Sequence, residues 1–171
     1  GAGKSTLLDA IAGLLRPDSG RAELDGTVLF DLPAAGGKST GRAASIWTPP
    51  HRRSVSLLAQ DALLFPHLSA LENVAFGPRS RGIPAKRARQ IAAEWLEQVD
   101  AAPLASRIPA QLSGGQAQRI AVARALAAAP ALLLLDEPMA ALDVSVAPAL
   151  RRMLRRVLTG RSAVIVTHDV L

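Results

Sequence analysis

The chain has 171 residues, of which 49% are hydrophobic and 20% are charged, a composition that is typical of one globular domain and excludes a disordered chain. It contains no cysteine, which excludes disulfides and cysteine-ligated zinc or iron–sulfur sites. The net charge of +6 permits a nucleic-acid or membrane partner, but no aromatic residues interleave the basic ones as base stacking requires, so we interpret the charge as solvated helix faces.

The first sixty residues contain the signals of one helix, one hairpin and one strand. A glycine-rich loop runs into an amphipathic helix within residues 1–15. Residues 21–30 predict a β-hairpin around Asp25-Gly26, because this dipeptide favours a tight turn. Residues 32–50 are rich in Gly, Pro, Ser and Ala and predict a surface loop. Residues 54–59 then predict a buried strand.

Beyond Pro66 the pattern turns helical and afterwards alternates between helices and short apolar strands. The predicted elements are a helix that starts after Pro84, a helix over 113–129, a strand over 131–135, a helix over 150–158 and a buried strand over 162–166. The longest apolar run, 125–135, contains Pro130 and is far shorter than the roughly 20 residues that cross a bilayer. We therefore expect no membrane span in this chain.

Strands that alternate with helices predict an α/β fold. We expect a mostly parallel sheet core, a small antiparallel region and an inserted, all-helical subdomain. In this interpretation residues 1–171 form a single domain. Its α/β core comprises 1–64 and 119–171, and its helical insertion comprises 65–118.

The chain opens with a glycine-rich loop directly before a helix. The sequence of this loop is the second half of the pattern G-x-x-x-x-G-K-[ST], namely Gly1-Ala2-Gly3-Lys4-Ser5-Thr6. The glycines let main-chain N–H groups face phosphates, and the helix start adds a positive dipole end. Lys4 is suited to the β- and γ-phosphates and Ser5 to Mg²⁺. A chance glycine-rich helix start is the alternative, and we expect the strand before this loop to be missing.

Two carboxylates follow the apolar run Leu132–Leu135, at the carboxyl end of a predicted buried strand. Open α/β sheets bind their ligands at this end of the strands. Asp136 is suited to hold Mg²⁺, directly or through water, and Glu137 to polarise an attacking water molecule. The structural alternative is an ordinary acidic turn before Pro138.

A second glycine-rich helix start lies far along the chain, at Leu112-Ser113-Gly114-Gly115-Gln116. Ser113 and Gln116 also form a capping box, which is the structural alternative. A cap alone does not require two glycines in the first turn, where each glycine destabilises the helix by up to about 1 kcal/mol. We therefore interpret this segment as a second phosphate-binding helix start. One triphosphate cannot be bound by both segments of the same chain if they lie far apart. The hypothesis is therefore a sandwich in which two chains bind the nucleotide between them.

Six motifs, in this order, resemble those of the ABC ATPase family of P-loop NTPases, and the resemblance covers essentially the whole chain. The motifs are the end of the Walker A loop at 1–6, the Q-loop glutamine Gln60, the signature loop at 112–116, the Walker B motif at 135–138, the D-loop at 141–143 and the switch histidine His168. Each motif alone is a modest signal, whereas six in the right order are very specific.

The resemblance implies roles for residues that spacing alone does not assign. Gln60 would contact Mg²⁺ or the attacking water and report the nucleotide state to membrane subunits. His168 would donate a hydrogen bond to the γ-phosphate, although a lone histidine after a strand is more often structural. Asp143 would communicate across a dimer. The loop Ser113–Gly115 would clamp the ATP held by the opposite subunit.

Residues 65–77 resemble importer ATPases of the molybdate, sulfate, polyamine and sugar group, and the segment 63–77 is most similar to molybdate importer subunits. In that group this region receives a coupling helix from the permease. Simple core packing is the alternative for the four apolar residues Phe65, Leu68, Val74 and Phe76. The resemblance thus implies a permease partner.

The resemblance as a whole implies an ATPase that uses Mg²⁺ and works as a head-to-tail pair, either a homodimer or two paired subunits. It would lie peripherally on the cytoplasmic face of the membrane and depend indirectly on an extracytoplasmic substrate-binding protein, with no nucleic-acid partner. Two alternatives stay open. A soluble ABC protein acting on nucleic acid or ribosomes is favoured by the +6 charge. A non-catalytic subunit is disfavoured because Lys4, Glu137 and His168 are all present.

Overall fold

The computed structural model describes residues 3–34, 45–140 and 147–167. The helices and strands are α1 (Lys4–Ala12), β1 (Gly20–Leu24), β2 (Thr27–Leu32), β3 (Ile46–Trp47), β4 (Val55–Leu58), α2 (Ala70–Ser80), α3 (Ala85–Gln98), α4 (Gly114–Ala127), β5 (Leu132–Asp136), α5 (Ala147–Leu158) and β6 (Ala163–Val166). The chain separates into two compact units, one ending at Val55 and the other beginning at Ser56. The predicted division into an α/β core and a 65–118 insertion stays a prediction.

The first unit contains the predicted hairpin. Strands β1 and β2 are antiparallel, and Leu24 lies opposite Thr27. The two residues between them, Asp25 and Gly26, both have positive φ, 49° and 76°. Positive φ at both central positions defines the type I′ turn, whose twist matches that of the flanking strands. The hairpin prediction is confirmed.

The prediction of a loop throughout 32–50 is wrong at β3. This two-residue strand pairs antiparallel with β2, and Trp47 lies opposite Phe30, with 6.0 Å between the ring centroids. The tertiary contact with Phe30 stabilises the extended conformation of β3. The sequence does not indicate this strand, because the residues around it are rich in Gly and Pro. Residues 35–44 lie outside the described part of the chain.

The second unit contains a three-stranded sheet in the order β4-β5-β6. Strands β5 and β6 are parallel, in a register that pairs Leu133 with Ala163 and Asp136 with Val166. The interior of β5 is buried, as a strand covered on both faces requires. The predicted burial of β6 is wrong, because all four of its residues are partly or largely exposed, Val164 to 39%; the described part of the chain leaves the Val164 face uncovered.

Helices α2, α3 and α4 pack on one another in the second unit around one apolar cluster that includes Val74, Leu96 and Ile120. Gly77 of α2 lies so close to α4's end that a Cβ atom would come within 3.0 Å of the Ala128 Cβ. Helix α3 begins directly after Pro84, as predicted. Among the described residues no helix is long and apolar enough to span a bilayer.

Asn73 of α2 organises the loop at 65–69 and is itself completely buried. Its Oδ1 accepts from the Phe65 N–H at 2.8 Å, and its Nδ2 donates to the carbonyls of Leu68 and Ser69, each at 3.0 Å. The loop therefore presents Phe65 in a fixed position.

The neighbouring side chains of α2 divide between core and surface. Val74 is buried, whereas Phe76 is 48% exposed and lies 4.6 Å from Phe65 between ring centroids. The core-packing alternative therefore holds for Val74 and is wrong for Phe76.

Candidate nucleotide-binding site

The first predicted phosphate-binding element is the N-terminus of α1. Its N-cap is Gly3, whose φ of 72° and ψ of 7° place it in the left-handed region that glycine adopts without strain. Within the part of the chain that the structure describes, no side chain caps this end, and the first turn contains no acidic residue. Lys4, Ser5 and Thr6 are exposed, so their main-chain N–H groups point to solvent without helical partners.

The second predicted element is the N-terminus of α4, and the capping box there is confirmed. The Gln116 N–H donates to the Ser113 Oγ at 3.4 Å, and the Ser113 N–H donates to the Gln116 Oε1 at 3.0 Å. Gly114 and Gly115 are absent from the residues with positive φ, so ordinary helix geometry does not require glycine here. Their use leaves the first two positions of the helix without side chains, which suits close approach of an anion to the helix end.

The two acidic residues end β5 in different environments. Asp136 is half-buried, and its Oδ1 is buried without a hydrogen-bond partner among the described residues. Such an unpaired, buried carboxylate oxygen costs about 1–3 kcal/mol unless a cation or donor binds it. Within the described residues no group of three or more His, Cys, Asp and Glu is clustered, and Mg²⁺ requires only one or two protein oxygens when phosphates supply others.

Glu137 adopts a strained backbone conformation that the sequence did not predict. Its φ is 45°, which is uncommon for a residue other than glycine and costs about 1–3 kcal/mol. The Glu137 N–H donates to the Val166 carbonyl at 2.8 Å. This hydrogen bond fixes Glu137 beside Val166, the last residue of β6.

Gln60 is exposed and lies two residues beyond β4. The loop that follows it is held by Arg124 of α4, which sequence analysis did not identify. Arg124 Nη2 donates to the Ala62 carbonyl at 3.0 Å and Nη1 to the Leu63 carbonyl at 2.9 Å, and the guanidinium lies 5.3 Å from the Phe65 ring centroid. Burial lowers the pKa of Arg124 by desolvation, yet arginine stays charged in proteins.

Leu63 also has a positive φ, 43°, so the segment after Gln60 contains a strained position. Arg124 compensates for this strain because it binds the Leu63 carbonyl directly. The loop after Gln60 is therefore tied to the helix that starts with Ser113. The contact between Arg124 and this loop joins distant parts of the chain, and no local sequence pattern indicates it.

The structure brings together only some of the predicted site residues. Asp136 and Glu137 lie together at the end of β5, and no hydrogen bond or ion pair among the described residues joins Gln60, Ser113 and Asp136 to one another. Lys4, Ser5 and Thr6 belong to the first unit. The predicted residues Gly1, Ala2, Asp143 and His168 lie outside the described part of the chain.

The residues present fit a magnesium–nucleoside triphosphate. Lys4 forms no ion pair among the described residues, and its exposed ammonium is available to phosphate. The Ser5 hydroxyl and the Asp136 carboxylate are the hard oxygen ligands that Mg²⁺ prefers.

Comparison with known proteins identifies the family of the chain. The family model described as ABC transporter matches residues 1–140. A molybdenum import ATP-binding protein, ModC, of Mycobacterium tuberculosis is 51% identical over 177 residues, covering 100% of this chain and 45% of that protein. An Fe(3+) ions import ATP-binding protein, FbpC 3, of Rhodococcus jostii is 47% identical, covering 99% of this chain and 45% of that protein.

Two further relatives extend the comparison. A spermidine/putrescine import ATP-binding protein, PotA, of Acidothermus cellulolyticus is 43% identical, covering 99% of this chain and 40% of that protein. A dimeric post-hydrolysis structure of the ATP-binding cassette MJ0796, bound to ADP and Pi, superposes with a TM-score of 0.73 at 31% identity, covering 98% of this chain and 70% of that one. The chain spans less than half the length of the curated relatives it matches. Its fold is that of a P-loop NTPase, and the chain belongs to the ABC transporter family.

Proposed function

We propose that this chain is part of the ATP-hydrolysing subunit of an ABC importer. The observation that carries the proposal is the open N-terminus of α1, whose exposed Lys4 and uncapped N–H groups suit a triphosphate. The buried, unpaired Asp136 Oδ1 supports it, because a carboxylate in that state suits a metal ion.

The proposed binding of ATP uses both charge and main-chain donors. Gly1, Ala2, Gly3 and Thr6 would supply N–H groups of the loop and first turn, and Lys4 would place its ammonium against the β- and γ-phosphates. Ser5 and Asp136, with Gln60, would hold Mg²⁺. When bound, this ion neutralises charge on the phosphates and orients them.

The proposed hydrolysis assigns one proton transfer to Glu137. Its carboxylate would accept a proton as a water oxygen forms the new bond to the γ-phosphorus and the bond to the β-phosphate oxygen breaks, giving ADP and phosphate. Gln60 would orient the water, and His168 would donate a hydrogen bond to the γ-phosphate. The left-handed backbone of Glu137 supports this role, since strain concentrates at sites where a side chain must be aimed.

The proposed active form is a head-to-tail dimer. The start of α4, with Ser113, Gly114, Gly115 and Gln116, would bind the triphosphate held by the opposite subunit, and Asp143 would communicate across the interface. Since that helix end gains its anion only when the partner holds ATP, closure of the dimer depends on nucleotide. The dimeric state of the MJ0796 cassette supports the proposal of a dimer.

The proposed setting is the cytoplasmic face of a membrane, beside a permease. The import proteins among the relatives support it. The exposed Phe76, whose ring lies tilted against that of Phe65, offers an apolar surface that suits a permease segment. We retain residues 65–118 as the helical subdomain that carries this surface, with 1–64 and 119–171 as the core, and an extracytoplasmic substrate-binding protein as an indirect partner.

Molybdate is the transported substrate that we propose. The 51% identity with ModC supports it over iron, at 47%, and over polyamines, at 43%. The test is uptake by the complete transporter reconstituted in vesicles with ATP inside. Molybdate uptake that stops without ATP is expected, whereas uptake of Fe³⁺ or spermidine in its place would contradict the substrate assignment.

The net charge of +6 favours a nucleic-acid-acting ATPase as the alternative. Several arginines, however, are engaged within the described part of the chain. Arg89 pairs with Glu72 at 2.6 Å and Arg156 with Asp100 at 3.1 Å. These contacts support solvated helix faces, and an affinity for DNA that falls steeply with salt would instead favour the alternative.

A further inference from the structure

Arg53 is an arginine with only 1% of its surface exposed, in the unit that contains α1. Its Nη1 donates to the carbonyls of Ala10 and Ile11 at 2.8 and 2.9 Å, and its Nε donates to the Thr48 carbonyl at 2.6 Å. Its guanidinium lies 4.3 Å from the Trp47 ring centroid. One arginine therefore joins the end of α1 to the strand β3 and the residue that follows it.

The two α1 carbonyls belong to the last turn of the helix, where main-chain oxygens lack the i+4 N–H partner that they have in the helix interior; the Ala10 carbonyl accepts instead from the Gly13 N–H at 3.3 Å. A cation at this end also interacts favourably with the helix dipole. The sequence places no basic residue in the last turn of α1. Arg53 thus supplies this cation from another segment, in addition to the main-chain cap in which the Gly13 N–H donates to the Asp9 and Ala10 carbonyls.

Gly13 shows that this contact is close-fitting. It is the C-cap of α1, with a φ of 87°, and a Cβ atom added there would come within 2.7 Å of the Arg53 Cζ. Both the backbone conformation and the space therefore require glycine. The guanidinium is confined between the helix end on one side and Trp47 on the other.

Burial of the Arg53 charge is unfavourable, so its hydrogen bonds to main-chain carbonyls are needed to offset the desolvation of the guanidinium. No salt bridge compensates Arg53, and its Nη2 has no hydrogen-bond partner among the described residues. Desolvation lowers the pKa of Arg53, but the group stays charged. An apolar side chain would fill the same space at less cost in desolvation, so stability alone does not account for an arginine.

Helix α1 is short, and its two ends are held differently. Lys4 to Leu7 are exposed, whereas Leu8, Ala10 and Ala12 are buried. With nine residues the helix is about 14 Å long, so a tilt of about 5° around its C-terminal end moves its N-terminus by about 1 Å. A displacement of that size is enough to impair the alignment of a bound substrate.

We propose that Arg53 is a positioning residue for phosphate binding: it fixes the C-terminal end of α1 and thereby the direction in which Gly3 and Lys4 face the ligand. This inference rests on the proposed function, since it concerns the affinity for ATP. Arg53 itself lies at the opposite end of the helix from Lys4 and touches no phosphate in this role.

The test is the dissociation constant of Mg²⁺–ATP for the full-length protein, measured by calorimetry on the folded fraction, together with turnover at saturating ATP. Arg53→Met is expected to weaken ATP binding about tenfold while turnover at saturation changes less than about twofold. Arg53→Lys keeps a cation near the two carbonyls and is expected to recover part of the affinity. A residue that served stability alone would lower the melting temperature and the folded fraction without changing the dissociation constant.

Arg16 offers a matched control on the same aromatic ring. Its Cζ lies 5.8 Å from the Trp47 centroid and its Nη2 donates to the Ser45 Oγ at 3.1 Å. Arg16→Met therefore removes a cation near Trp47, and neither of these two interactions involves α1. Its ATP affinity should equal that of the wild type.

If Arg53→Met does not fold, the test uses Gly13→Ala, because the added Cβ forces Arg53 aside. The dissociation constant of Mg²⁺–ATP for the folded variant is again the measurement. Wild-type affinity in folded Arg53→Met or Gly13→Ala protein would overturn the proposal. Absence of ATP binding in the wild type would instead overturn the proposed function.

Discussion

The main-chain N–H of Glu137 donates to the carbonyl of Val166 at 2.8 Å, so the residue after β5 is fixed to the last residue of β6. This contact continues the parallel register in which Asp136 lies opposite Val166. The two strands therefore end at the same level, and their following residues share one edge of the sheet. Glu137 and Thr167 are separated widely in sequence, and the register places both directly after the carboxyl ends of neighbouring strands.

Glu137→Gln is expected to reduce ATP turnover about 10²–10⁴-fold, because the amide cannot accept the proton of the attacking water. Binding of ATP should persist, and the variant should accumulate as a closed dimer when ATP is present. Steady-state phosphate release and size-exclusion chromatography of the full-length protein measure the two effects. Glu97→Gln, on the exposed side of α3, is the control. A Glu137→Gln protein that stays monomeric with unimpaired turnover would contradict the assigned role.

Lys4→Ala is expected to abolish measurable ATP affinity, since it removes the one charged side chain at the open start of α1. The fold should persist, because Lys4 is exposed and forms no ion pair among the described residues. Calorimetric titration with Mg²⁺–ATP checks the first effect and thermal unfolding the second. Lys86→Ala, which removes another exposed lysine from α3, should bind ATP normally. Unchanged binding by Lys4→Ala would exclude the proposed phosphate-binding loop.

The features predicted correctly from the sequence have local causes. Asp25-Gly26 specifies a type I′ turn by its own conformational preference. Ser113 and Gln116 cap α4 across three residues. The run Leu132–Leu135 is apolar throughout because both faces of β5 are covered. Each of these signals lies within a few residues of the structure it determines.

The features that were not predicted depend on contacts between distant residues. Strand β3 forms because Trp47 lies opposite Phe30, and its own composition favours a loop. Arg53 and Arg124 bind main-chain carbonyls more than 40 residues away in sequence. Because every residue has a main-chain carbonyl, the sequence does not mark which of them an arginine binds. The sequence contains many arginines, and it does not distinguish a buried one such as Arg53 from those that are exposed.

Ser113→Arg is expected to block turnover while ATP binding to the same chain changes little, because the proposed partner of Ser113 is the nucleotide of the opposite subunit. The bulky cation would occupy the space that two glycines leave open at the start of α4. Turnover and single-chain ATP affinity are measured separately, the latter at protein concentrations below dimerisation. Ser106→Arg, at another exposed serine, should keep both. Equal loss of binding and turnover in Ser113→Arg would count against a clamp formed between subunits.

Arg124→Met is expected to lower turnover about tenfold with ATP affinity unchanged, because the loop after Gln60 loses the two hydrogen bonds that hold it to α4. The strained φ of Leu63 should then relax, and amide hydrogen exchange across 60–65 should become faster. Arg119→Met on the same helix is the matched control, since the side-chain hydrogen bond that Arg119 makes within the described residues goes to the Asp100 carbonyl, at 3.5 Å, and not to the Gln60 loop. Slow exchange retained in the 60–65 segment of Arg124→Met would show that Asn73, with its four hydrogen bonds to residues 65–69, suffices to hold the loop.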